Sequence, residues 1–116
     1  MPWRPLHTVV ETPEFRRRVH GLLADDERQS LIDHLAAQPE AGDVMPGTGG
    51  ARKLRWAGRG RGKRDGVRVI TFYSGPPVPV FLLTVFGKGE KSNLTRAERN
   101  DLRAVLRILV AEYQNE

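Results

Sequence analysis

Cysteine is absent from the 116 residues. Disulfides and thiolate metal sites are therefore excluded, and a cysteine-free basic chain suits a reducing cytoplasm. Long apolar runs are also missing. None approaches the ~18 residues that a membrane-spanning helix needs, so no membrane partner is expected. The opening Met-Pro-Trp-Arg-Pro-Leu-His lacks an apolar stretch of signal-peptide length, which argues against secretion. The sequon Asn93-Leu94-Thr95 then has no consequence. The three histidines, His7, His20 and His34, are scattered. No carboxylate or second histidine stands at metal spacing, so neither a metal nor a cofactor is expected. Asp25-Asp26-Glu27 imitates an acid cluster, but acids at a helix N-terminus are accounted for by the helix dipole. Acid–base chemistry through histidine or paired carboxylates has little support. Two phosphate-loop patterns fail on specific residues. A Walker-type loop ending at Gly62-Lys63 meets Ala57 and Arg64 where it needs glycine and a hydroxyl, and Gly58-x-Gly60 is followed by Lys63 instead of a third glycine.

What the chain does have is a local excess of positive charge. The net charge is +5, from 19 Lys and Arg against 14 Asp and Glu. Residues 51–68 hold eight of the cations and one acid, Asp65; the rest of the chain is slightly acidic. One basic stripe on a near-neutral body attracts polyanions, and nucleic acid is the commonest in a cytoplasm. The length predicts a single domain over residues 1–116. A chain of this size buries about two thirds of its unfolded surface, enough for one core.

Hydrophobic periodicity predicts the order β-αα-βββ-α. Leu6 to Val10 is β-prone. Thr12 is a suitable N-cap and Pro13 a suitable first residue for a short helix to about Leu22. Leu31, Ile32 and Leu35 predict a second helix from about Asp26 to Gln38. Glu40 to Gly50 is a turn region. Period-two alternation follows over Ala51–Ala57, a loop over Gly58–Gly66, and strands over Val67–Tyr73 and Val78–Phe86. Thr95-Arg-Ala-Glu98 has the form of a capping box. Leu102, Val105, Leu106, Leu109 and Val110 then predict an amphipathic helix from about Arg96 to Tyr113. The expected class is α+β, an antiparallel sheet with helices packed on one face. Phe72, Phe81 and Phe86 read as core.

The basic residues are the chemical candidates. Lys53 and Arg55, two apart on a strand, project to one face. If that strand pairs with 67–73, Arg68 lies near them. Lys88 and Lys91 stand in the loop after the third strand. Fixed cations stabilise the extra negative charge of a pentacoordinate phosphorus, and crowding among cations favours a neutral lysine, which can act as a base. In RNA the nucleophile is already present as the 2′-OH. The same residues also fit a solvated face or a passive polyanion-binding surface. Trp56 and Tyr73 fit either base stacking or packing.

Several motifs occur in order: Gly42-Asp-Val-x-Pro-Gly-Thr-Gly-Gly50, Ala51-Arg-Lys-Leu-Arg55, Gly62-Lys-Arg64, Gly66-x-Arg-Val-Ile70, and Leu83-Thr-Val-Phe-Gly-Lys88 with Lys91-Ser92. Together they resemble the RelE-like toxins of bacterial type II toxin–antitoxin systems, nearest the HigB-type subgroup, from about Leu23 to the C-terminal helix. The resemblance implies a RelE-like fold and a metal-independent mRNA interferase. Such an endoribonuclease usually acts on mRNA in the ribosomal A site and so inhibits translation, leaving a 2′,3′-cyclic phosphate and a 5′-OH. Matched by motif, Lys53 is a candidate general base, Arg55 a second basic position, and Arg68 the arginine that stabilises transition-state charge. Lys88 and Lys91 belong to the Gly-Lys loop. RNA contacts fall to Arg52, Arg59, Arg61, Lys63, Arg64 and Tyr73. Implied partners are the ribosome, mRNA and a cognate antitoxin with a helix-turn-helix domain, which alone would contact operator DNA. Two positions depart from the RelE pattern, Gly89 for arginine and Thr95 for tyrosine. The general acid is therefore open among Lys91, Lys88 and Arg64, and the stacking surface between Tyr73 and Trp56. Two alternatives stay open: a ParE-like gyrase poison without ribonuclease activity, and a non-enzymatic nucleic-acid-binding protein.

Overall fold

A computed structural model describes residues 6–58, 66–91 and 93–114. In chain order the elements are β1 (Val9–Glu11), α1 (Pro13–Val19), α2 (Asp25–Ala37), β2 (Asp43–Val44), β3 (Arg52–Trp56), β4 (Val67–Phe72), β5 (Val80–Gly87) and α3 (Arg96–Gln114). They form an α+β domain around one five-stranded sheet, ordered β1-β5-β4-β3-β2.

The meander β3-β4-β5 is antiparallel as expected. Two features differ from the sequence expectation. The sheet is mixed, because β1 runs parallel to β5, with Val9 opposite Val80 and Glu11 opposite Leu82. Helices also cover both faces instead of one. Phe15 and Val19 of α1 and Leu31 and Leu35 of α2 pack with Val67, Val69, Val80, Leu82 and Val85. On the other side Leu102, Leu106, Leu109, Val110 and Tyr113 of α3 pack with Ile70, Phe72, Phe81, Leu83 and Phe86. Strand β4 is buried at all six positions, as a central strand with both faces covered must be. In β5 the register slips between Ile70 and Thr71, opposite Thr84 and Leu82. The bulge at Leu83 shifts the alternation by one: Val80 and Leu82 before it and Val85 after it join the α1/α2 core, while Phe81, Leu83 and then Phe86 join the α3 core. The two-residue β2, pairing Asp43 with Lys53, was not expected.

Both local helix-start readings match the structure. The Phe15 amide donates to Thr12 Oγ1 at 3.3 Å, and the Thr12 hydroxyl lies 2.8 Å from the Leu82 carbonyl, tying the start of α1 to β5. At α3 the box is reciprocal: the Glu98 amide donates to Thr95 Oγ1 at 3.1 Å, and the Thr95 amide to Glu98 Oε1 at 2.8 Å. Thr95 therefore serves as a cap. One member of the apolar repeat faces outward: Val105 is 46% exposed.

Replacing Thr95 by Ala leaves the Glu98 amide without its acceptor, at a cost of about 1 kcal/mol. That corresponds to a fall in melting temperature of roughly 4 °C. Thr95→Asp keeps an acceptor and should melt close to wild type. Thermal denaturation followed by far-UV circular dichroism checks both.

Candidate nucleic-acid interface

The β3–β4 register decides where the basic side chains go. Lys53 is opposite Ile70, and Arg55 opposite Arg68. Directly opposed residues share a face, with Cβ atoms about 5 Å apart, and Ile70 packs in the α3 core. Lys53, Arg55 and Arg68 therefore all lie on the α3 side of the sheet. Across β4 the row continues, with Arg68 opposite Phe86. Lys91 Nζ sits 5.2 Å above the Phe86 ring. Lys88 follows Gly87, whose partner is Val67, one rung beyond that row, and it is exposed.

Lys53 and Arg55 open into a cleft of about 510 Å³, walled by the segment Gly42–Pro46 on one side and by Asn93 and Arg99 on the other. Arg68 does not line it. Its side chain is 6% exposed and its Nη1 donates to the Val67 carbonyl at 3.4 Å. Three cations and one carboxylate, that of Asp43, surround the space. Arg99 and Asp43 escaped the sequence reading. Arg99 looks like any charge on an amphipathic helix, and Asp43 becomes relevant only through its pairing with Lys53.

The turn before β3 is built to hold that strand. Thr48 is fully buried; its hydroxyl donates to the Met45 carbonyl at 2.7 Å and accepts from the Ala51 amide at 3.0 Å. Gly42 has φ +94°, and a Cβ there would stand 2.7 Å from the Lys53 carbonyl oxygen. Only glycine lets this segment lie so close to β3.

Other expected contacts are not brought to the cleft. Arg52 alternates to the opposite face with Leu54 and Trp56. Its Nη1 donates to the Glu40 and Gly42 carbonyls at 3.0 and 3.2 Å, so it pins the turn and does not join the basic face. Trp56 packs against the α1/α2 core; its Nε1 donates to the Glu27 carbonyl, and its ring lies 5.1 Å from that of His34. Tyr73 also belongs to that core and meets His7 edge-on at 5.3 Å. Neither aromatic is placed to stack on a base beside Lys53, because odd and even positions on a pleated strand look to opposite sides. Arg59, Arg61, Lys63 and Arg64 lie outside the described residues.

Lys91 is bound to the helix behind it: its Nζ donates to Glu98 Oε2 at 2.5 Å. That hydrogen bond, and next the Thr95 amide, hold the Glu98 carboxyl below its ordinary 4.5. Lys91 thus braces the loop against α3 through an ion pair and the Phe86 ring. Among the described residues no group of His, Asp and Glu could hold a metal ion, and no helix is long and apolar enough to cross a membrane.

Two outcomes are expected. Gly42→Ala forces an unfavourable φ and a backbone clash, costing roughly 2 kcal/mol or more, measurable by urea denaturation. For Glu98 the folded-state pKa is depressed, so its contribution is present above the unfolded value and lost as pH falls through the folded one. The melting-temperature gap between wild type and Glu98→Gln should therefore be widest near neutrality. It should close on acidification below the ordinary carboxylate range, as read from melts taken across pH.

No family model matches the chain.

Proposed function

We propose that this protein is a type II toxin of the RelE-like, HigB-type class: a metal-independent endoribonuclease that cleaves mRNA, most effectively on the ribosome. The observation that carries the reading is the placement of Lys53 and Arg55 side by side in one open cleft, with Arg68 adjacent on the same sheet face. The ordered motifs from Gly42 to Ser92 and the β-αα-βββ-α order of the long elements support it.

In this mechanism a backbone phosphate sits in the cleft. Lys53 is the candidate base that takes the proton of the adjacent 2′-OH, and the oxygen attacks phosphorus. Arg55 stabilises the charge that builds on the non-bridging oxygens, as fixed cations do for any phosphorane-like state. Arg68, buried and opposite Arg55 on the same face, is the third basic residue of this set. The 5′-oxygen of the next nucleotide leaves and takes up a proton, giving a 2′,3′-cyclic phosphate and a 5′-OH. The proton comes from one of Lys88, Lys91 and Arg64, of which Lys91 is tied to Glu98. The protein acts in the cytoplasm, and a cognate helix-turn-helix antitoxin neutralises it and carries the pair to operator DNA.

Lys53→Ala and Arg55→Ala should each lower cleavage of mRNA on programmed ribosomes by about 10²–10³-fold with melts close to wild type, because neither side chain belongs to a core. Arg68→Ala should lose activity and stability together, since its side chain is buried. Cleavage is read by mapping 5′ ends and detecting the cyclic phosphate. Full activity in both Lys53→Ala and Arg55→Ala would overturn the reading. Intact transcripts with DNA-damage signalling would favour gyrase poisoning instead.

A further inference from the structure

Helix α3 carries arginines at 96, 99, 103 and 107. Spacings of three, four and four place them on a single ridge. At ~1.5 Å per residue the ridge is about 16 Å long. Its position in the fold is specific. Arg99 enters the cleft beside Lys53 and Arg55, and its Nε is buried with no hydrogen-bond partner. Arg103 and Arg107 line a second cavity, about 410 Å³, whose floor includes Phe72, Leu106 and Val110. Arg103 joins the two: its Nε and Nη2 donate to the Gly47 carbonyl at 3.2 and 2.9 Å, and Pro46, next in the chain, lines the first cleft.

A merely solvated helix surface interleaves acids with its arginines at i,i+4. Here the charges are segregated. Among the described residues none of the four arginines is ion-paired. Glu98 and Asp101 turn the other way, into a groove shared with Pro13 and Glu14 of α1. An unpaired donor on Arg99 carries a desolvation cost that an anion would relieve, and guanidinium groups bind phosphate oxygens through paired N–H donors.

We propose that the ridge Arg99–Arg103–Arg107 is a track for the backbone phosphates of single-stranded RNA on one side of the cleft, with nucleobases resting on the apolar floor of the second cavity. This rests on reading the cleft as the place of the scissile phosphate. A basic groove that follows the backbone, together with apolar or aromatic surface for the bases, is how single strands are held without sequence readout. Arg99 then has two neighbours in function: the cleft cations on one side and the rest of the track on the other. The strand leaves the cleft along α3, away from the α1 side where Glu14 and Asp101 would repel it.

The test uses the full chain and a fluorescein-labelled, fully 2′-O-methylated RNA of roughly twelve nucleotides, within the usual range of single-strand sites. Without free 2′-OH groups this probe cannot be cut. Affinity is measured by fluorescence anisotropy across a salt series. A 2′-O-methyl dinucleotide, which occupies the cleft alone, is measured by competition. Arg103→Gln with Arg107→Gln should weaken binding of the longer strand about tenfold and flatten its log–log salt slope by about 1.4, two phosphate contacts' worth, with the dinucleotide unaffected. Arg107→Gln alone, which leaves the Gly47 contact in place, should produce about half of that slope change. Unchanged affinity and slope for the longer strand would overturn the track. So would an acidic peptide of similar length that outcompetes the RNA on wild type and loses its binding in the double variant. Failure of the cleft reading looks different: Lys53→Ala with Arg55→Ala would leave the dinucleotide affinity intact.

Discussion

A strand with both faces covered must find apolar partners in two directions, and β4 does so at four of its six residues. Val67 and Val69 meet the α1/α2 core, and Ile70 and Phe72 meet the α3 core. The exceptions are Thr71, fully buried, and Arg68, a charge held at 6% exposure in the middle of the sheet. Burying a guanidinium is costly unless its donors are engaged. Its Nη1 donates to the Val67 carbonyl at 3.4 Å, and across the ladder it faces Arg55. The rest of the basic face depends on this pairing, because the β3–β4 register that sets Arg55 against Arg68 also sets Lys53 against Ile70 and turns both β3 cations toward α3.

Helix α3 leaves that face partly open. It packs on β4 and β5 through Leu106 and its neighbours, while β3 and the short β2 extend beyond it. The uncovered margin becomes a cleft, with Gly42–Pro46 as one wall and the N-terminal part of α3 as the other. The turn residues make sense in this frame. Gly42 permits close approach to the Lys53 backbone, and Thr48 closes the loop that leads into β3. These are backbone requirements for positioning a strand, and a basic strand held rigidly presents its cations at little entropic cost.

The same arrangement separates charge across α3. Lys91, Glu98 and Thr95 form a closed set at its N-terminus, in which the lysine, the aromatic ring of Phe86 and the helix cap support one another. Glu98 is thereby occupied in capping and bracing. Among the described residues none of the ridge arginines is ion-paired, and Asp43 is the one carboxylate lining the cleft where Arg99 meets the β3 cations.

Much of this was legible in the residues alone. The Thr95–Glu98 box, the Thr12 cap, the meander and the shared face of Lys53 and Arg55 all depend on neighbours within a few positions, where periodicity and capping chemistry act. The strand order, the parallel β1, the second helix layer, the slip at Leu83, and the turning of Trp56 and Tyr73 away from the basic face were not legible. Arg99 is the sharpest case: on its own helix it is one charge among several, and only the docking of α3 beside β2 and β3 puts it next to Lys53. Which side chains share a strand face follows from local geometry with a period of two. Which face a distant helix covers, and what it leaves open, follows from burying two apolar surfaces at once, a balance that only the folded chain as a whole can strike.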